Sequence, residues 1–233
     1  MKSRFAVITF FAALAITRAD LVVMQMFESE NVKGTVATLQ LKGSKLRVDV
    51  PSRAGLLSSI VNMDTGDSLT LMHGQKWVMK RSGAMTKETI DNLRKKGGKT
   101  IAGDASKTAA AGRKEKVGEF TADVFTWKGG NGLQTIWVTQ DLPNYPSIKE
   151  RLDRLWKSGN VDLPKGIAPD FTTLPGIVVK TEVVTNGKIF TSTILSVKEE
   201  DIDPALFEAP PDYRDPATGG HAADPATDAA PQN

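Results

Sequence analysis

The sequence predicts a mainly β protein of the α+β type, built on an antiparallel sheet of about nine to eleven strands, enough to curl into a barrel or part of one. Two observations carry this. Short runs with apolar side chains at every second position follow one another, separated by turn residues, and one longer stretch switches to helical spacing. Alternate side chains of a strand point to opposite faces, so such runs bury one face of a sheet.

The plainest strand is Lys45 to Val50, where Leu46, Val48 and Val50 point one way and Lys45, Arg47 and Asp49 the other. Thr35 to Leu41 precedes it, with Ala37, Leu39 and Leu41 on one face and Lys42-Gly43-Ser44 as the turn. Leu57 to Met63, Ser68 to Met72 and Lys76 to Lys80 follow, joined by Asp64-Thr65-Gly66-Asp67 and by His73-Gly74-Gln75, and Leu21 to Phe27 is the first strand. Consecutive hairpins of this kind make a meander. The second half supplies Glu119 to Trp127, Gln134 to Thr139, Ile177 to Thr185 and Lys188 to Val197. Asn186-Gly187 joins the last two, and both residues tolerate the positive φ that a tight hairpin requires. Gly129-Gly130-Asn131-Gly132 opens no helix, so it reads as a hairpin turn and not as a phosphate loop.

Two segments have helical spacing. Thr86 to Lys95 offers an N-cap in Thr86 and a narrow stripe of Ile90 and Leu93. Tyr145 to Ser158 has Pro146 in its first turn and Ile148, Leu152, Leu155 and Trp156 at i, i+4, i+7 and i+8. Full burial of those four would stabilise the docked helix by roughly 6 to 12 kcal/mol before entropy, at about 1.5 to 3 each. Lys96 to Lys116, rich in Gly, Ala and Lys, reads as a mobile loop.

The ends differ from the middle. Residues 1–19 combine Lys2 and Arg4, an apolar run from Phe5 to Ile16, and small residues at Thr17 and Ala19, the pattern of a secretory signal peptide cleaved before Asp20. The run is too short to span a bilayer, so no transmembrane anchor is expected in the mature chain. Lys2, Arg4 and Arg18 would leave with it, bringing 30 basic residues level with 27 acidic ones. The basic excess therefore says little about nucleic acid, and no nucleic-acid partner is expected. Residues 20–213 suit a single domain, and residues 214–233, without a large apolar side chain, read as a disordered tail. With no cysteine, the chain carries neither a disulfide nor a lipid-modified N-terminal cysteine.

An enzyme would need a site, and the inventory is thin. The histidines are His73, in a turn, and His221, in the tail, and no serine sits in a glycine-flanked elbow. Glu199, Glu200, Asp201 and Asp203 read as a solvated turn, with Asp203 capping a helical turn that Pro204 opens. The basic residues between Arg94 and Lys116 read as a solvated loop. No catalysis, metal or cofactor is expected.

The arrangement resembles a bacterial family of exported proteins of unknown function that stands beside the outer-membrane lipoprotein carriers of the Lol type. The resemblance lies in Lys45-x-Arg47-x-Asp49, in Ile60-Val61-Asn62-Met63-Asp64, in Trp137 to Pro143 and in the closing Phe207 to Tyr213. It implies a curved antiparallel sheet forming an incomplete barrel, with one or two helices over the concave face, and a periplasmic or extracellular location. It also implies an apolar cargo, a lipid or the acyl chain of a lipoprotein, held between sheet and helices. On that expectation Leu69, Leu71, Trp77 and Met79 are candidate walls, facing Ile148, Leu152, Leu155 and Trp156. The alternative is an envelope interaction protein whose barrel is only a scaffold for a protein partner.

Overall fold

The computed structural model describes residues 19–85, 88, 108–129, 132–158 and 169–216. The predicted signal peptide, bar Ala19, and the chain beyond residue 216 lie outside the described residues. So does the helix predicted over Thr86 to Lys95, apart from Glu88, although residues 83–85 are helical.

Eleven strands form one antiparallel sheet: β1 (Asp20–Ser29), β2 (Val32–Lys42), β3 (Lys45–Ser52), β4 (Gly55–Asn62), β5 (Ser68–Met72), β6 (Trp77–Arg81), β7 (Ala109–Val117), β8 (Phe120–Gly129), β9 (Gly132–Thr139), β10 (Ile177–Thr185) and β11 (Lys188–Glu200). Their order is β6-β5-β4-β3-β2-β1-β11-β10-β9-β8-β7. Two meanders, β1 to β6 and β7 to β11, meet along β1 and β11 in the middle of the sheet. Because β6 and β7 are the two edges, the sheet is not closed, and the connection between them leaves at one edge and re-enters at the other. The β10–β11 hairpin turns at Asn186 and Gly187, with φ of 50° and 75°, as the sequence predicts.

One strand replaces part of a predicted loop. The sequence predicts irregular chain through Lys116, and the Ala, Gly and Lys content of Ala109–Val117 has little preference for a strand. The segment is ordered by its neighbour instead: β7 pairs along β8, slips register between Ala110 and Lys114 where Gly112 takes φ +69°, and sets Lys114 opposite Asp123. A bulge and lysines on an edge strand discourage pairing with another sheet. Residues 96–107 of the predicted loop lie outside the described residues.

Each face carries a packed apolar cluster, which alternation along β1 makes plain. Leu21 and Val23 join the inner core with Leu41, Val124, Trp137, Ile177 and Val179, and helix α1 (Tyr145–Ser158) lies against that core. Val22, between them, joins Ile60, Leu71 and Val78 on the outer face, under Ile202 and Phe207 of the C-terminal segment.

The helix is less deeply docked than its apolar stripe predicts. Ile148 is 3 % exposed, Leu152 and Leu155 are half-buried, and Trp156 is 56 % exposed, its ring 4.9 Å from that of Phe171. Only Ile148 therefore contributes the full burial free energy, and the helix is held by less than the sum expected for four buried side chains.

The C-terminal segment is pinned at intervals. Asp20 accepts a hydrogen bond from the Ile202 amide at 3.1 Å. Asp203 caps the 3-10 turn Pro204–Phe207 by accepting from Ala205 at 2.9 Å, as read from the sequence. Arg214, placed by the sequence at the start of the tail, instead bridges to Trp77 in parallel. Its amide donates to the Lys76 carbonyl and its carbonyl accepts from Val78, both at 2.9 Å. The outer edge of β6 is thereby partly satisfied.

Lys76 Nζ lies 2.8 Å from Asp212 at this junction and holds its carboxyl below the ordinary value of 3.8. A carboxyl lowered on folding contributes stability that is present above its unfolded value and lost as pH falls through the folded one. Protection of the Val78 and Arg214 amides from hydrogen exchange is thus expected to fall between about pH 5 and about pH 2. Asp212→Asn should flatten that change, and equal protection at both pH values would contradict it.

Candidate functional site

A cavity of about 330 Å³ lies between the inner face and α1. Val23, Leu39, Ile177, Val179 and Ile194 line it from the sheet, and Leu152, Leu155, Trp156 and Phe171 from the α1 side. Two bulges accompany the hollow. β1 slips against β11 between Met24 and Gln25, and β10 slips against β9 between Val178 and Lys180. An extra residue bends a strand and increases its twist, so the sheet curves away from a straight helix where the cavity walls run. Gly176 begins the β10 wall, where a Cβ would stand 2.4 Å from the Thr139 carbonyl oxygen.

Polar groups are few and mostly engaged. Gln25 donates to Ser192, and Asp153 is bonded by Lys149 at 2.7 Å within the helix. Lys180 rests with its ammonium 4.4 Å from the centroid of the Trp137 ring. The Trp137 indole N–H donates to Glu115 at 2.8 Å, and Arg113 donates to the same carboxylate at 2.7 Å. These two hydrogen bonds, Arg113 first, hold Glu115 below the usual carboxylate range.

Of the eight candidate wall residues, the structure brings Leu152, Leu155 and Trp156 to the cavity, and Ile148 to the core beside it. Leu69 and Leu71 are on the outer face with the C-terminal segment, while Trp77 and Met79 are exposed on the inner face, away from the cavity. The separation follows from one residue in a turn. A three-residue turn His73-Gly74-Gln75 would set Met72 against Lys76 and bring Leu71 opposite Trp77. The observed turn includes Lys76 at φ +53°, so Met72 pairs with Trp77 and Leu71 with Val78. A shift of one residue moves every side chain of β6 to the other face.

A second constellation, on the outer face, has no local signature in the sequence. Arg47, which alternation with Leu46 and Val48 would direct to solvent, is buried. It donates to both Asp49 oxygens at 2.8 and 3.0 Å, to Ser58 Oγ at 2.9 Å and to the Leu206 carbonyl. Ser58 shares a hydrogen bond with His73 Nε2 at 2.7 Å, and His73 Nδ1 shares one with the Tyr213 hydroxyl at 2.8 Å. This chain ties β3, β4 and the β5–β6 turn to the C-terminal segment. The available signal was the run of Phe207 and Tyr213 after the last strand, apolar side chains that had to return to some surface.

Among the described residues no group of three His, Asp or Glu could hold a metal ion, and no helix is long and apolar enough to cross a membrane.

No family model matches the chain, and no curated protein is similar to it. Among solved structures it is similar to an uncharacterized conserved protein from Thermus thermophilus, at TM-score 0.48 and 6 % identity, over 85 % of this chain and 90 % of that one. It is also similar to a LolA superfamily protein from Nitrosomonas europaea, at TM-score 0.28 and 12 % identity, over 82 % and 90 %. A further similarity is to PNGF-II, at TM-score 0.37 and 14 % identity, over 82 % of this chain but 30 % of the other. Likeness at this level assigns neither a family nor an activity.

Proposed function

We propose that the chain is an exported, non-catalytic binding or carrier protein that takes an apolar ligand, a lipid or the acyl chain of a lipoprotein, in the cell envelope. The observation that carries the reading is the apolar cavity between the sheet and α1, bounded by Leu152, Leu155 and Trp156 on one side and by Val23, Leu39 and Ile194 on the other. Concave, largely apolar sites with a few placed polar groups are where small ligands bind. The partial exposure of Trp156 supports it, since hydrocarbon in the cavity would take over contacts that the helix leaves unmade.

A catalytic use of Ser58 and His73 is disfavoured by burial. Ser58 is fully enclosed and its hydroxyl already accepts from Arg47, which leaves no approach for a substrate carbonyl.

Uptake of a fluorescent lipid, with native mass spectrometry of protein isolated from the cell envelope, tests the proposal. Wild type is expected to take up the probe, and Ile194→Trp, which narrows the cavity, to bind it about tenfold more weakly or worse while melting cooperatively. A bare protein mass together with no uptake would overturn the reading.

A further inference from the structure

Lys180 lines the cavity from β10, and among the described residues its ammonium meets no carboxylate and no hydrogen-bond acceptor. The face of Trp137 holds it by cation–π attraction, an interaction that uses none of its three N–H donors. The neighbouring carboxylates are already engaged: Glu115, near enough to feel the charge, by Arg113 and Trp137, and Asp153 by Lys149. The cavity thus couples an apolar chamber to one cation held by a ring face, with no ion pair among the described residues.

We propose that Lys180 receives the anionic head of the ligand, so that the site takes an anionic amphiphile, an acyl chain ending in a carboxylate or phosphate. This rests on the carrier reading and specifies its ligand class. An anion brought to a half-buried ammonium forms charge-assisted hydrogen bonds, shorter and stronger than neutral ones. The low dielectric of the chamber raises their strength further. The Trp137 ring keeps the cation at the wall until the head arrives, and the ammonium's three donors then meet the oxyanion.

Calorimetric titration of wild type with dodecanoate, dodecyl phosphate and dodecanol, below their aggregation concentrations, tests the proposal. Wild type is expected to bind one or both anions about tenfold or more tightly than dodecanol, the scale of one hydrogen bond to a charged group. The tighter of the two anions tells a carboxylate head from a phosphate head. Lys180→Met should abolish the preference for the anions over dodecanol, and Lys180→Arg should retain it; circular dichroism confirms that each variant folds. Equal affinity of wild type for the anions and dodecanol, or a preference that survives Lys180→Met, would overturn the assignment of Lys180 while leaving the carrier reading intact. Binding of none of the three would overturn both.

Discussion

Arg47→Met is expected to lower the free energy of unfolding by about 3 kcal/mol in urea denaturation. Removing one partner of a buried ion pair costs about 3 to 5 kcal/mol, and the lower end applies because Asp49 keeps some access to water. The loss has several sources: an uncompensated Asp49 carboxylate, and Ser58 and the Leu206 carbonyl left without the guanidinium. Arg47→Met combined with Asp49→Leu should recover much of the loss, because it removes the stranded charge. A loss below about 1 kcal/mol for the single variant, the size found for exposed pairs, would show that the network contributes little to holding the C-terminal segment.

Ile148→Ala is expected to cost about 2 to 5 kcal/mol, since it empties a fully packed position between α1 and the inner core. For a domain of this size each kcal/mol shifts the melting midpoint by about 2 to 4 °C, so a fall of at least about 4 °C should appear in thermal melts. Trp156→Ala, on the same helix, should move the midpoint far less, because more than half of that side chain is already in water. It should nevertheless weaken uptake of an apolar probe, since Trp156 lines the cavity. A helix that melted out equally with either variant would place its stability elsewhere than at Ile148.

The sheet was legible because its strands are amphipathic and its hairpins short. Ten strands could be located from alternation and turn residues, and Asn186-Gly187 marked its hairpin without help from the rest of the chain. β7 was not legible, since Ala, Gly and Lys carry no strand signal and the order comes from pairing with β8. Arg47 was misleading for a related reason. A charged residue alternating with Leu46 and Val48 normally faces water, and only the return of residues distant in sequence encloses it. On the candidate site, the helical stripe announced Leu152, Leu155 and Trp156, but the opposing wall depended on two bulges and on long-range register, neither of which spacing encodes.

The joining of the two meanders along β1 and β11 governs how the molecule is assembled. Asp20 pairs with Glu200, so the first strand waits for nearly the whole chain before its second neighbour exists. The entropy of closing so large a loop must be met before that pairing returns anything, which makes it the natural slow stage. Until then β1 has one unpaired backbone edge and apolar side chains on both faces, Leu21 and Val23 on one and Val22 on the other. That seam is where half-assembled molecules would adhere to one another.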